Sequence, residues 1–134
     1  MSKCLKIGNK GKMGNKYLKK ENYLKSFIKF HSLTGNKSNF FPINPNESNL
    51  HRDTKYKIGV ELIKRGFEVI FEAEFKTGGR ADICAIDPKG NGYIFEVVNS
   101  ESEESIKNKL NKYPIDFVIE IIKCSDPLEN QITI

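Results

Sequence analysis

Two acidic residues stand alone inside apolar segments of the chain. Asp82 is the one charged residue of residues 81–86, and Glu96 is the one charged residue of residues 93–98. Burial of an unpaired carboxylate is costly, so such groups are hydrogen-bonded, ion-paired or bound to a metal. Neighbouring carboxylates repel unless a proton or a cation lies between them, and their hard oxygens suit Mg²⁺ or Mn²⁺. The alternative is a pair of strand-end carboxylates that reach solvent or cap backbone amides.

Three short strands and two turns position these carboxylates. Residues 67–76 show the period-two alternation of a half-buried strand, with Val69, Phe71, Ala73 and Phe75 as the apolar positions. Glycine-containing turns at 77–80 and 87–92 separate this strand from the two apolar segments. The pattern therefore predicts consecutive hairpins that place Asp82 and Glu96 on neighbouring strands.

Helical patterns and a fourth strand surround the hairpins. The spacing predicts a helix over 16–33, a linker over 34–50, and a helix from Asn49 or Asp53 to Arg65 with Gly66 as its cap. A third helix begins at Ser100 or Ser102, where Ser100-x-x-Glu103 fits a capping box, and ends before Pro114. Residues 115–122 form a strand parallel to 93–98, since a helix connects the two. Residues 131–134 form a further short strand. The prediction is an α/β fold, an α-β-β-β-α-β core with a mixed sheet flanked by helices, plus an N-terminal helix.

The order of these features resembles the PD-(D/E)xK nuclease superfamily. The resemblance is carried by Asp82, a hairpin and then Glu96-Val97-Val98, preceded by a helix that opens with His51-x-x-x-Lys55 and ends at Gly66. It covers about residues 50–122 and is nearest to the competence-associated nuclease-like and Holliday-junction-resolvase-like branches. It implies a restriction-endonuclease-like mixed sheet.

The resemblance also implies a set of catalytic and metal-binding residues. Asp82 and Glu96 would hold Mg²⁺ or Mn²⁺ together with the backbone carbonyl of Val97. Glu61 on the preceding helix is a candidate ligand of the second shell, with a plain surface charge as the alternative. The catalytic lysine of the superfamily would fall at Val98, which has no amine.

Two lysines are candidates to replace that missing amine. Lys76 lies at the end of the first strand, and its direction depends on the hairpin loop: two or four residues pair Phe75 with Asp82, whereas three or five pair Lys76 with Asp82. Lys55, on the helix, is the competing donor. If neither lysine serves, hydrolysis is lost.

The charge distribution points to a polyanionic partner. The first 40 residues hold ten lysines and one acid, although the whole chain carries only +5. A basic arm of this kind attracts phosphate backbones, and the alternative is a solvated tail. We therefore assign Lys16, Lys19 and Lys20 as candidate nucleic-acid contacts, and the resemblance adds His51 and Arg80 beside the acidic site. Residues 1–48 form the arm with its helix and linker, and residues 49–134 form the nuclease-like core domain.

These observations lead to one main hypothesis and two alternatives. The main one is a metal-dependent endonuclease that hydrolyses DNA, including branched or damaged DNA; the sequence does not separate DNA from RNA, or a monomer from a homodimer. The alternatives are an inactive nucleic-acid-binding module on the same fold and a small partner-binding protein. Three scattered cysteines, no apolar segment of membrane-spanning length and no signal-peptide pattern predict a cytoplasmic protein without membrane contact.

Overall fold

The computed structural model describes residues 15–29, 38–124 and 132. Within these ranges a four-stranded mixed sheet is accompanied by three helices, which confirms the predicted mixed α/β architecture. The strand order is β1-β2-β3-β4; β1, β2 and β3 are antiparallel neighbours, and β3 and β4 are parallel. The elements are α1 (Asn15–Lys25), α2 (Asn49–Lys64), β1 (Glu68–Glu74), β2 (Arg80–Ile86), β3 (Gly92–Val98), α3 (Glu103–Leu110) and β4 (Phe117–Lys123).

The crossover between β3 and β4 has the predicted form. Helix α3 connects the two strands, and their parallel pairing runs from Gly92–Phe117 to Val98–Lys123. The helix is capped by Ser102, whose hydroxyl accepts from the N–H of Ser105 at 3.2 Å, so the capping box at Ser100 was wrong. The predicted strand over 131–134 lies outside the described residues except for the buried Ile132.

Helix α2 also follows its prediction. Ser48 caps its first turn, and Gly66 beyond its end has a φ of +89°, which glycine adopts without steric cost. The helix lies close to β1, because a Cβ on Gly59 would come within 2.1 Å of the Phe71 ring.

Helix α1 is shorter than predicted. It ends at Lys25, and the chain then forms an antiparallel bridge between Ile28 and Phe75. The N–H of Lys76 donates to the Phe27 carbonyl at 2.8 Å, and the N–H of Lys29 donates to the Glu74 carbonyl at 2.8 Å. The predicted helix over 16–33 is therefore wrong over 26–29, and its last four residues lie outside the described part of the chain. Local periodicity favoured a helix there, but the end of β1 required backbone partners at the sheet edge.

The sheet separates two apolar clusters, and β1 changes face between them. Val69 and Phe71 pack with α2, whereas Ala73 and Phe75 pack with α1 and Tyr113. The prediction that these four residues share one face was therefore wrong. Glu72 lies between the two pairs with a φ of +53°, a left-handed conformation that interrupts the alternation of a strand.

The β1–β2 register corrects both predicted pairings of Asp82. Glu74 pairs with Arg80, so the strand ends before Phe75 and Lys76. Phe71 pairs with Ile83 and Ala73 with Ala81, which sets Glu72 opposite Asp82.

The described helices were also compared with the dimensions of a lipid bilayer. In the part of the chain that the structure describes, none of them has the length and apolar character needed to cross a membrane.

Candidate active site

The β2–β3 ladder ends where the two carboxylates begin. Backbone pairing runs from Ile86–Gly92 to Ile83–Phe95, and the next residues in the same register are Asp82 and Glu96. Both side chains are buried. Like charges directly opposite each other on neighbouring strands are destabilising, so each carboxylate needs partners of its own.

Each carboxylate replaces a missing backbone acceptor. The N–H of Val97 donates to Asp82 Oδ2 at 2.8 Å, and the N–H of Asp82 donates to Glu96 Oε1 at 3.2 Å. These bonds match the alternative in which the carboxylates cap backbone amides. They also lock the two acids side by side at the open end of the ladder.

Helix α3 and the turn after it supply two partners that the sequence did not suggest. Lys109 Nζ donates to Glu96 Oε2 at 2.9 Å, and the Tyr113 hydroxyl contacts Glu96 Oε1 and the Arg80 carbonyl. Tyr113 lies against the β1–β2 turn because Gly79 has no side chain; a Cβ there would come within 2.9 Å of the ring. We refer to Lys109, Glu96 and Tyr113 as the Lys109 cluster.

His51 approaches Asp82 from the start of α2. Its Nε2 lies 3.1 Å from the Val97 carbonyl oxygen and 3.5 Å from Asp82 Oδ2. Its Nδ1 is hydrogen-bonded to Glu47 Oε2. The imidazole therefore bridges the Asp82–Val97 corner of the site and a second buried carboxylate.

That second carboxylate belongs to a group of charges beneath α2. Lys55 Nζ donates to Glu47 Oε2 at 2.7 Å and to Glu72 Oε2 at 2.9 Å. The left-handed backbone of Glu72 directs its carboxylate to this helix. Glu47 Oε1 is buried and has no hydrogen-bond partner among the described residues. We refer to Lys55, Glu47, Glu72 and His51 as the Lys55 cluster.

The ionisation of the two central acids differs. Burial and the neighbouring Asp82 charge raise the pKa of Glu96, despite the hydrogen bonds from Tyr113 and Lys109. Burial would also raise the pKa of Asp82, but the hydrogen bonds from His51 and the Val97 N–H outweigh it and lower that pKa. Asp82 is thus the firmly ionised acid, and Glu96 accepts a proton more readily.

The basic groups beside these acids remain charged. The hydrogen bond with Asp82, followed by the Glu47 contact, raises the pKa of His51 to about 9 against the cost of burial. Burial would lower the pKa of Lys109, but its hydrogen bond and charge interaction with Glu96 raise it. Burial and the Glu96 carboxylate raise the pKa of Tyr113, which stays a proton donor.

The structure brings some of the predicted site residues together and separates others. Asp82, Glu96, the Val97 carbonyl and His51 meet at one point, and Lys55 joins them through Glu47. Other predicted residues lie elsewhere. Lys76 is exposed in the β1–β2 turn, and Glu61 forms an i,i+4 ion pair with Arg65 near the end of α2. Both positions disfavour the roles predicted for these residues.

The predicted nucleic-acid contacts form no single surface with the acids. Arg80 is exposed beside the site and pairs with Glu74 at 3.2 Å. Lys19 and Lys20 are exposed on α1, where Lys20 Nζ donates to Asn91 Oδ1 at 3.2 Å. Lys16 belongs to α1, but its side chain lies outside the described residues.

The predicted chemistry requires a divalent cation, so the oxygen atoms of the site must suit such an ion. Among the described residues, no group of three or more His, Cys, Asp or Glu side chains is arranged to hold a metal ion. A cation would therefore rest on Asp82, Glu96 and the Val97 carbonyl. These are the hard oxygen donors that Mg²⁺ and Mn²⁺ prefer. Burial, and then the Asp82 charge, raises the pKa of Glu96, and a bound cation would favour its ionised form, so the chemistry of the donors fits such an ion.

Sequence reasoning missed Glu47, Glu72, Lys109 and Tyr113. Glu47 lies in the predicted linker, and Glu72 was assigned to the alternating polar side of a strand. Lys109 and Tyr113 follow Glu96 by 13 and 17 residues. One signal could have indicated Lys109: it lies on the helix that connects β3 to β4, and a basic residue on such a helix can reach the end of β3.

Known proteins offer no guide to this site. Comparison of the chain with protein-family models, with curated proteins and with solved structures found no match.

Proposed function

We propose that the chain is a cytoplasmic, metal-dependent endonuclease that hydrolyses phosphodiester bonds in DNA on a restriction-endonuclease-like core. The observation that carries this proposal is the 2.9 Å contact between Lys109 and Glu96, beside Asp82. This contact places a charged amine beside two buried carboxylates at the end of the β2–β3 ladder. An amine returned by α3 supplies the group that Val98 cannot.

Asp82, Glu96 and the Val97 carbonyl are the residues that would hold the cation. A bound divalent ion polarises the scissile phosphate and lowers the pKa of its water. The locked backbone of Val97 fixes its carbonyl for this purpose, because its N–H is held by Asp82.

Lys109 and Glu96 have complementary parts in hydrolysis. The reaction joins a water oxygen to phosphorus, breaks the bond between phosphorus and the leaving sugar oxygen, and moves one proton from the water to that oxygen. Lys109 stays protonated, so it stabilises the negative charge on the phosphate and does not remove a proton. Glu96, as one of the residues that would hold the cation, also holds the Lys109 ammonium beside it through the 2.9 Å contact.

The rim of the site suits a phosphate backbone. The turn after α3 is joined to the β1–β2 turn by a bond from the Thr77 hydroxyl to the Lys112 carbonyl at 2.7 Å. The Ile28 bridge brings the end of α1 to the same turn. Exposed cations from all these segments border the site: Lys29, Lys76, Arg80, Lys107 and Lys112. Lysines and arginines at such a rim bind phosphates with release of counterions.

Cleavage of labelled DNA tests the proposal directly. Linear, flapped and four-way-junction substrates are incubated with Mg²⁺ or Mn²⁺ and with the wild type, Glu96→Gln or Lys109→Met. We expect metal-dependent products from the wild type and none from Glu96→Gln. Lys109→Met should cleave at a rate at least about 100-fold below that of the wild type.

Lys107→Met and Lys76→Met are the matched controls. Each variant removes an exposed lysine, and Lys107 belongs to the same helix as Lys109. Both variants should cleave within about threefold of the wild-type rate, because exposed cations act mainly on DNA binding. Equal losses in Lys107→Met and Lys109→Met would remove Lys109 from the chemistry. Absence of any metal-dependent product would refute the nuclease.

One observation favours a second candidate, a nucleic-acid-binding module without catalysis. Both acids already have backbone partners, so a structural role alone would account for their burial. In that case Asp82→Asn and Glu96→Gln would leave salt-sensitive DNA binding intact, and Mg²⁺ would not change the melting temperature. A rise in melting temperature with Mg²⁺ that Asp82→Asn abolishes would favour the nuclease.

A further inference from the structure

Both strands of the β1–β2 hairpin change face at one level of the sheet. The apolar cluster beside α2 holds Phe71 of β1 and Ile83 of β2. The cluster beside α1 holds Ala73 and Ala81, each two residues further along the same two strands. Residues two apart in a regular strand share a face, so each strand turns over at the one residue between.

The backbone conformation that goes with this reversal lies in β1, at Glu72. Glu72 has a φ of +53°, and Asp82, which lies opposite it in β2, is not among the described non-glycine residues with a positive φ. The two strands are paired on both sides of this level, so they must turn over together. The left-handed residue of β1 therefore also sets the course of β2.

The reversal gives the Asp82 side chain its direction. Side chains of a regular strand stand roughly perpendicular to the sheet. A residue in the middle of a reversal projects sideways instead, and the Asp82 carboxylate accepts the N–H of Val97 in the neighbouring strand at 2.8 Å. This bond holds the peptide group whose carbonyl, with Asp82 and Glu96, would bind the cation. The geometry of the candidate site therefore depends on the reversal in β1.

An enclosed ion pair holds the left-handed residue in place. A positive φ is rare for a glutamate and costs conformational energy, so it persists only where the surroundings determine it. Lys55 Nζ lies 2.9 Å from Glu72 Oε2, and the lysine side chain is 1% exposed. Glu47 holds the same ammonium at 2.7 Å. The pair with Lys55 therefore offsets the cost of the Glu72 backbone.

We infer that Glu72 is a positioning residue of the proposed active site. Its left-handed backbone turns both strands over and so directs Asp82 to Val97, and its pair with Lys55 holds that conformation. The inference rests on the proposed function and extends the site to a residue that touches neither substrate nor cation. What cleavage requires at position 72 is a residue that adopts a positive φ.

Two variants that differ by one methyl group test this requirement. Glu72→Ala and Glu72→Gly both remove the carboxylate and its pair with Lys55, but only glycine adopts a positive φ without steric cost. We expect Glu72→Gly to cleave labelled DNA with a kcat within about threefold of wild type, and Glu72→Ala with a kcat at least about tenfold lower. KM should stay within about twofold in both variants, because the cations that bind DNA are unchanged. A purely structural strand position would give the reverse order, since glycine weakens a strand more than alanine does.

The Val97 amide reports the same geometry without metal or substrate. Its proton resonance is measured by NMR in the isotope-labelled full chain in EDTA. We expect the resonance of Glu72→Ala to move towards that of Asp82→Ala, which lacks the acceptor, and that of Glu72→Gly to stay close to wild type. Glu74→Ala and Glu74→Gly are matched controls from the same strand, where φ is not positive, and neither should move the resonance.

Equal behaviour of Glu72→Ala and Glu72→Gly, in cleavage or at the Val97 amide, would overturn the inference. If Glu72→Ala does not fold, Glu72→Asn takes its place. Asparagine tolerates the left-handed conformation, so this variant should resemble Glu72→Gly. A Val97 resonance in Glu72→Asn that matches Asp82→Ala would overturn the inference as well.

The outcome for Glu72 is distinguishable from the outcome for the nuclease. The expected Val97 shifts in a chain that cuts nothing would refute the nuclease and sustain the positioning of Asp82 by Glu72. Cleavage at equal rates by wild type, Glu72→Ala and Glu72→Gly would sustain the nuclease and overturn the role of Glu72.

Discussion

Lys55 and Lys109 each form an ion pair with a glutamate beside the candidate site, but the two lysine side chains differ in their exposure to water. The Lys55 side chain is 1% exposed and lies between the carboxylates of Glu47 and Glu72. The Lys109 side chain is 40% exposed and contacts Glu96 alone among the described carboxylates. A fully enclosed lysine with two partners is fixed in place, whereas a half-exposed lysine with one partner can move to a phosphate. This difference favours a structural role for the Lys55 cluster and is consistent with the catalytic role that we propose for the Lys109 cluster.

The largest expected effect on stability comes from the enclosed lysine. Lys55→Met should lower the free energy of unfolding by about 3 kcal/mol, because it removes a fully enclosed ammonium and leaves Glu47 with His51 as its remaining close cation and Glu72 with only the distant Arg80. Chemical denaturation of the wild type and the variant measures this difference.

Two controls set the scale for that measurement. Lys57→Met removes an exposed lysine from the same helix and should change stability by less than about 0.5 kcal/mol. Lys109→Met should cost less than Lys55→Met, since the buried Glu96 keeps the Tyr113 hydroxyl and the Asp82 N–H as partners and, with its raised pKa, accepts a proton more readily. A Lys109→Met variant as unstable as Lys55→Met would abolish the distinction between the two clusters.

His51 links the clusters, and its ionisation predicts a pH dependence. Its folded pKa of about 9 exceeds the ordinary value of 6.5, so its contribution to stability is complete below pH 6.5. That contribution is lost as the pH rises through about 9. Because the ring is 21% exposed, we expect the wild type to lose about 2 kcal/mol relative to His51→Gln between pH 6 and pH 9.5.

The difference in unfolding free energy between wild type and His51→Gln reports the contribution of the imidazole. The pKa of Asp82, which faces the ring, is lowered, so this carboxylate stays ionised across the range, and glutamine does not titrate. Unfolding curves at several pH values give the difference directly. A constant difference between wild type and His51→Gln would mean that the pKa of His51 is the same in the folded and the unfolded chain.

Much of the fold was predictable because its signals are local. Alternation and glycine turns gave the strands, and the segment from Asn49 to Gly66 gave α2 with its C-terminal cap. The parallel pairing of β3 and β4 followed from the length of their connection. The end of α1 was missed, since the pairing of Ile28 with Phe75 joins residues that are 47 positions apart.

The site was predictable only where it interrupts a local pattern. Asp82 and Glu96 were visible as charges in apolar strands. Lys109 and Lys107 look alike in the sequence, since both are lysines of one polar helix. They point to different sides of that helix, and only its position against the sheet brings Lys109 to Glu96. Glu72 was hidden for another reason: its left-handed φ moves it out of the alternation that the strand pattern assumes.

The smallest expected effect tests how rigid the Lys109 cluster is. Tyr113→Phe removes one hydroxyl that contacts both Glu96 and the Arg80 carbonyl, and keeps the ring against Gly79. Glu96 would retain Lys109 and the Asp82 N–H, so stability should fall by only about 1 kcal/mol. The loss of a donor should also raise the pKa of Glu96, which moves the acidic limb of the cleavage profile to higher pH. A loss of stability close to that of Lys55→Met would mean that the contacts of Glu96 matter as much to folding as those of Lys55. The Lys109 cluster would then have a structural role as well.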